Sequence, residues 1–295
     1  MRFTDCVRGT LTLADGAWGT ELLSLGARID ECLDAWNLTA PDRVRQVAEN
    51  YVSAGARIIL TNTFRSNSFS LAHYGLQDQC DAINRSGVRI SREAAGTSAM
   101  VFASIGPTGE QHSTRGVSHT ELHRTFSQQA RALASETPDA ILIETMTDLE
   151  EARIAAAAAL ATNLPTIVSF VFVSREDGLR TAAGSTPEQA ATVLASEGVH
   201  GVGANCCDLH ESIAICRRLA AASPLPIWIK PNSGVPELIH GRAHYKTTPQ
   251  EFATAAGDLS DAGATFLGGC CGTTPEFTRV LARQPVFRRA LAHDY

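Results

Sequence analysis

The sequence has no apolar stretch long enough to cross a bilayer. Its longest strongly apolar run covers residues 154–161, against roughly 20 residues for a spanning helix. The N-terminal Met1-Arg-Phe-Thr-Asp-Cys-Val-Arg also lacks the apolar core of a secretory signal. An excess of positive charge is missing as well. Lys and Arg number 25 against 31 Asp and Glu, a net charge of −6, which argues against a nucleic-acid binder held through phosphates. No linker, composition shift or low-complexity segment divides the chain, and 23 glycines and 12 prolines in 295 residues are ordinary for a globular protein. Hydrophobic residues make up 44% and charged residues 19%, so a large core can form and wholesale disorder is excluded. A cytoplasmic protein is expected, with neither membrane nor nucleic acid as partner.

In that compartment eight cysteines are not a disulfide framework. Cys6, Cys32, Cys80 and Cys216 stand alone and read as small buried apolar residues. Cys206-Cys207 follows Gly201-Val-Gly-Ala-Asn, and Cys270-Cys271 lies within Gly268-Gly-Cys-Cys-Gly-Thr-Thr. Neighbouring side chains on a regular strand point to opposite faces. Two adjacent cysteines can therefore share a metal only where the backbone leaves the pleat, and the glycines around Cys270-Cys271 permit that bend.

Short β-prone apolar runs recur at 11–14, 57–64, 100–105, 140–145, 166–172, 201–206, 226–230 and 264–269, with helical patterns in most of the intervals. Ser118-x-x-Glu121, Thr147-x-x-Glu150 and Thr248-Pro-x-Glu251 fit helix-starting capping boxes, and Thr186-Pro187 and Thr274-Pro275 open helices in the same way. Eight strands alternating with helices give parallel βα units. Either an open doubly wound sheet or a closed barrel fits the alternation; the count and the length favour a single α/β (β/α)8 TIM barrel over residues 1–295. Segments 106–118 and 232–248 read as ordered loops, and 175–180 as a solvated loop. His119 and His123 read as residues near a helix start rather than metal ligands. Asp148, Glu150 and Glu151 read as first-turn charges favoured by the helix dipole.

Barrel chemistry gathers at the C-terminal strand ends. Both cysteine pairs fall there, with Asp15 after strand 1, Asn62 after strand 2, Glu144 at the end of strand 4 and Asn232 after strand 7. Zinc suits a thiolate cluster, and a catalytic zinc keeps an open fourth position. Three thiolates against one dication leave net negative charge. That is poor for activating water and good for delivering a soft thiol nucleophile. A structural site of all four paired cysteines, a vicinal disulfide and inert buried thiols remain alternatives.

Taken together, Asp15-Gly-Ala-Trp-Gly-Thr-Glu-Leu, Thr61-Asn-Thr-Phe, Gly106-Pro-Thr-Gly, Ile143-Glu-Thr-Met, Gly203-Ala-Asn-Cys and Gly268-Gly-Cys-Cys-Gly resemble the homocysteine S-methyltransferase family over about residues 11–280. The family includes betaine–homocysteine methyltransferase and the homocysteine module of cobalamin-dependent methionine synthase. The resemblance implies a (β/α)8 barrel with Zn2+ on Cys206, Cys270 and Cys271, Cys207 standing outside the set. It implies that Asp15 and Glu144 hold the homocysteine amino group, that amides around Gly16 and Ala17 take its carboxylate, and that Asn62 lines the substrate site. A methyl group from a sulfonium, a betaine-like ammonium or a corrinoid would pass to the thiol and give methionine. Arg65 follows Thr-Asn-Thr-Phe where betaine enzymes carry an aromatic residue. That weakens a betaine donor, because a quaternary ammonium prefers an aromatic face. At 295 residues there is no room for folate, cobalamin and reactivation domains, so a corrinoid would arrive on another protein. The alternative is a binding module that presents homocysteine to such a carrier without catalysis of its own.

Overall fold

The computed structural model describes residues 3–7, 11–109, 117–234, 237–239 and 242–288. Parts of the two expected loops, at 110–116, 235–236 and 240–241, lie outside the described residues. The strands are β1 (Thr12–Leu13), β2 (Ile58–Leu60), β3 (Met100–Ile105), β4 (Ala140–Met146), β5 (Thr166–Phe170), β6 (Val173–Arg175), β7 (Gly178–Arg180), β8 (Gly201–Asn205), β9 (Ile227–Lys230), β10 (Glu237–Ile239), β11 (Arg242–His244) and β12 (Ala264–Leu267). Eight of them form one parallel sheet in the order β1-β12-β9-β8-β5-β4-β3-β2. A parallel bridge between Ala14 and Ile58 brings the two ends together. All eight runs expected from the sequence are the eight barrel strands, and the fold is the (β/α)8 barrel.

The period of two along each strand sorts the residues. Phe102, Leu142, Ile167, Trp228 and Phe266 share one cluster inside the barrel. Their alternates Ala103, Ile141, Ile143, Val168, Ile227 and Ile229 pack outward under the helices. The Trp228 and Phe102 rings stack with centroids 5.8 Å apart, and Phe266 closes on Trp228 at 5.6 Å. Phe3, in the short helix Phe3–Cys6, covers this layer from the N-terminal end, 6.1 Å from Phe102 and 6.0 Å from Phe266. Burying each ring stabilises the barrel by about 1.5–3 kcal/mol.

The same alternation sets the next layer. Two residues beyond Phe102, Leu142, Ile167, Gly203 and Trp228 stand Ser104, Glu144, Ser169, Asn205 and Lys230, all buried. A polar ring thus sits directly on an aromatic floor, at the C-terminal ends of the strands.

The helices start where their capping residues stand. Ser118, Thr186 and Thr248 close full capping boxes on helices His119–Ala134, Pro187–Ser196 and Pro249–Asp261. Thr274 precedes Pro275 without a side-chain cap bond. The expected box at Thr147 is displaced by one residue. Asp148 is the cap of Leu149–Leu160, its carboxylate accepting from the Glu150 N–H; a short acidic side chain reaches that amide as well as a hydroxyl does. Glu150 and Glu151 stand in the first turn of that helix as expected, and Glu151 has a further role. It is buried and its Oε1 accepts from the Thr108 N–H and hydroxyl at 2.8 and 2.7 Å. Segment 175–180, expected as a plain loop, belongs to the antiparallel hairpin β6–β7, and the loop after β9 carries the hairpin β10–β11.

Candidate active site

Three thiols meet above the polar ring. Cys206 follows β8 and adopts a left-handed φ of 54°. Its N–H donates to Lys230 O at 3.1 Å, and the Cys270 N–H donates to Pro231 O at 2.7 Å. Consecutive carbonyls at the end of β9, the strand between β8 and β12, therefore place both cysteines. Gly268 runs against the neighbouring chain: a Cβ there would lie 2.4 Å from Asp15 O. Gly272 has a φ of 79°, open to glycine and strained for side chains. Between them the backbone leaves the pleat. Cys271 is oriented by its N–H to Asn232 Oδ1 at 3.0 Å.

The Cys206 Sγ lies 2.8 Å from the Cys270 Sγ and 3.9 Å from the Cys271 Sγ. All three sulfurs lie within 4.8 Å of one another, and among the described residues they form the one group of three or more His, Cys, Asp or Glu side chains able to share a metal. Cys207 turns away into the apolar packing under the helices, and burial pushes its thiol well up. It is no fourth member of the cluster. The lone cysteines Cys6, Cys32, Cys80 and Cys216 are buried, and all eight cysteines are free.

Hydrogen bonds from Cys206 and Cys270 pull the Cys271 thiol down to about 3. Those bonds and burial push Cys206 well above the ordinary thiol range, and Cys270 rises to about 11. Three like charges at this spacing repel, so the three thiols do not all ionise together without a cation. The three residues fit a soft dication such as zinc, whose charge would favour their thiolate forms.

Asn205 is the hub beside the cluster. Its Oδ1 accepts from the Thr145 N–H at 2.9 Å and the Ser169 hydroxyl at 2.7 Å. Its Nδ2 donates to the Thr145 hydroxyl at 2.7 Å and toward the Cys206 sulfur at 3.6 Å. Thr145 is itself left-handed, with φ 63°. A β-branched residue in that region is strained and persists only when its surroundings hold it. Asn205 supplies the hold.

Glu144 is buried, with 8% of its surface still exposed, and Ser104 Oγ donates to its Oε1 at 2.5 Å. Burial pushes its carboxyl up to about 7 against the opposing pull of Lys230. Asp15 has more partners. Lys230 Nζ sits 2.6 Å from Oδ1, while Oδ2 accepts from the Leu60 N–H and the Trp18 indole N–H, both at 2.7 Å. The Ala17 N–H donates to Thr273 Oγ1 at 3.1 Å, and the Gly16 N–H has no acceptor among the described residues. Asn62 donates to Leu33 O at 2.9 Å and to Asn37 Oδ1 at 3.1 Å, bracing the segment that carries those residues.

A model of the family described as homocysteine S-methyltransferase matches residues 12–284. The chain belongs to that family. It is 31% identical over 301 residues to the methionine synthase of Mycobacterium tuberculosis and 30% identical over 293 residues to that of Mycobacterium leprae, matches that take in 94% and 92% of the chain. They span 25% and 24% of those proteins, so the chain accounts for about a quarter of the length of these relatives. The metallated crystal structure of the homocysteine methyltransferase MmuM from Escherichia coli superposes with a TM-score of 0.78 at 25% identity, covering 94% of this chain and 97% of that one.

For a homocysteine S-methyltransferase family member, the site contains more than its motifs announce. Lys230 reads in the sequence as the end of an apolar strand, and Ser104 and Asn205 as strand residues. The available signal was positional. Each stands two residues beyond a large or space-making lumen residue, where an apolar pattern turns polar.

Proposed function

We propose that this protein transfers a methyl group to the sulfur of homocysteine, forming methionine, with a zinc ion on Cys206, Cys270 and Cys271. The observation that carries this reading is the convergence of those three sulfurs within 4.8 Å at the mouth of the barrel. When bound there, zinc supplies a deprotonated acceptor thiol at neutral pH.

The chain's own residues do the rest. Glu144 receives the acceptor's ammonium, since Ser104 is its one hydrogen-bond donor among the described residues. The Gly16 N–H takes the carboxylate, with Ala17, Asp15 and Asn62 shaping the wall around it. Asn205 orients Cys206 and the Thr145 backbone, so both sides of the site keep one geometry. In the transfer a bond forms between acceptor sulfur and methyl carbon, the bond from methyl to donor breaks, and the thiol proton goes to solvent. Holding acceptor and donor in line contributes several kcal/mol to the rate. The donor is a sulfonium, a betaine-like ammonium or a methyl-corrinoid, the last carried by a partner protein. Eight free cysteines suit a reducing, cytoplasmic setting. Among the described residues no helix is long and apolar enough to cross a membrane.

The test is a donor screen on zinc-loaded protein with methionine as readout, using S-methylmethionine, S-adenosylmethionine, betaine, dimethylsulfoniopropionate and methylcobalamin. Methionine formed with one of these supports the reading. Homocysteine bound without turnover by any free donor, and methylated only when a methyl-corrinoid protein is added, would make the chain a presenting module. Failure to bind homocysteine at all would end the proposal.

A further inference from the structure

Thr273 stands between the two halves of the site. It follows Gly272 in the metal loop and is wholly buried. Its Oγ1 donates to Cys270 O at 2.7 Å and accepts from the Ala17 N–H at 3.1 Å. One hydroxyl thus joins the carbonyl of a metal-cluster cysteine to the turn after β1, where the acceptor's carboxylate is assigned above. Tyr51, on helix Pro41–Ala54, makes the join a second time: its hydroxyl lies 3.1 Å from Ala17 O and 3.5 Å from Thr273 O. The packing is as close as the bonding. A Cβ on Gly16 would lie 2.8 Å from Thr273 Oγ1 and 2.7 Å from the Tyr51 hydroxyl, and one on Gly269 would lie 2.5 Å from Thr273 Oγ1 and Cγ2. Glycine backbone therefore rests against Thr273 on both sides. That contact stops the turn from moving toward the metal loop. The hydrogen bonds stop it from moving away, because a buried polar group left unpaired costs about 1–3 kcal/mol. The two ends differ in how they depend on the hydroxyl. Cys270 O has a further donor in the Thr273 N–H at 3.1 Å, whereas the Ala17 N–H has no other acceptor among the described residues.

We infer that Thr273 is the spacer that fixes the span between the carboxylate-binding turn and the three sulfurs, and so makes the site selective for a thiol amino acid of homocysteine's length. This rests on the acceptor reading above and deepens it. A thiol one methylene shorter cannot reach the metal position while its carboxylate stays on the turn, and a thiol one methylene longer overshoots. A mismatch of one methylene is worth about 10–200-fold in discrimination. The contact sets the lower limit of the span and the hydroxyl bonds set the upper one, so the two limits are separable by substitution.

The experiment measures calorimetric affinities of zinc-loaded protein for cysteine, homocysteine and 2-amino-5-mercaptopentanoate, with no methyl donor present, alongside zinc content. The wild-type protein is expected to prefer homocysteine to each of the others by about tenfold or more. Thr273→Val keeps the bulk and loses both hydroxyl bonds. It is expected to bring the longer thiol closer to homocysteine by about tenfold, to go on rejecting cysteine, and to keep its zinc. Thr273→Ser keeps the hydroxyl and should return the ratio of longer thiol to homocysteine to within about threefold of the wild-type value. An unchanged ratio in Thr273→Val, an equal loss of affinity for all three thiols, a gain of cysteine binding, a loss of zinc, or Thr273→Ser behaving as Thr273→Val would each overturn the inference. If Thr273→Val does not fold, Tyr51→Phe decides: it keeps the ring and loses the second join, and should shift the same ratio in the same direction by about threefold or more, an unchanged ratio being fatal. Wild-type binding of homocysteine with no preference for length overturns this inference and leaves the acceptor reading intact. Binding of none of the three thiols overturns the acceptor reading itself.

Discussion

The Cys206 sulfur lies 2.8 Å from the Cys270 sulfur although the two residues are 64 positions apart. The strand between them, β9, does the joining: Lys230 O takes the amide of one and Pro231 O the amide of the other. The metal cradle is thus backbone-built, and its side chains can be changed without dismantling the cradle.

Accordingly, Cys206→Ala, Cys270→Ala and Cys271→Ala are each expected to lower bound zinc from about one ion per chain to a small fraction, and to abolish methyl transfer with it. Cys207→Ala, which empties a core position, should keep the ion. Elemental analysis of the purified variants checks both statements.

Glu144→Gln keeps the shape and one acceptor oxygen and loses the charge. A hydrogen bond to a charged group contributes about 1.5–3 kcal/mol, so homocysteine affinity should fall by roughly ten- to a hundredfold. Zinc content should be unchanged. Titration calorimetry alongside metal analysis separates the two effects.

Asn205→Ala strips the partners from the Thr145 amide and the Ser169 hydroxyl, both inside the barrel mouth. Each buried group left unpaired costs about 1–3 kcal/mol. Urea unfolding of the metal-free variant should show a loss on the order of 2–5 kcal/mol. Thr145, released from its hold, should leave the left-handed conformation in a crystal structure of the variant.

Asp34 supplies a pH test away from the thiols. Its Oδ2 accepts from the Arg65 N–H and the Ser66 hydroxyl, and burial pushes its carboxyl up to about 6. A carboxyl raised on folding contributes stability that is complete below the unfolded value near 3.9 and is lost as pH rises through about 6. From pH 4 to pH 7 the metal-free protein should lose on the order of 3 kcal/mol through this residue. Asp34→Asn should flatten that part of the profile, as read from urea midpoints at successive pH values.

The strands were legible because each is a short apolar run bounded by turn residues, and the pattern needs no partner to be read. Capping boxes at Ser118, Thr186 and Thr248 were legible for the same local reason. The shift from Thr147 to Asp148 shows the limit, since adjacent residues able to cap compete and geometry chooses. Glu151 was rightly placed in a first turn, but its bond to Thr108 was hidden because that partner is 43 residues distant. Lys230 went unnoticed because its partner is 215 residues away. Asp15, Glu144 and the cysteines stood out as motifs in a familiar arrangement, but which of them have oxygens to spare depends on neighbours contributed by other strands.

The seam where the barrel shuts gives Asp15 a second occupation. Between β1 and β2 the wall is held by the Ala14–Ile58 bridge, by the Asp15 N–H on Ile58 O and by the Arg57 N–H on Leu13 O. The Asp15 side chain then stands in for a missing carbonyl and receives the amide of Leu60. One carboxylate is both a lining of the cup and the clasp that fastens its last two staves. Any replacement at position 15 would therefore slacken the hoop as well as alter the contents, and the two effects come apart only when amide exchange at Leu60 is followed beside ligand affinity.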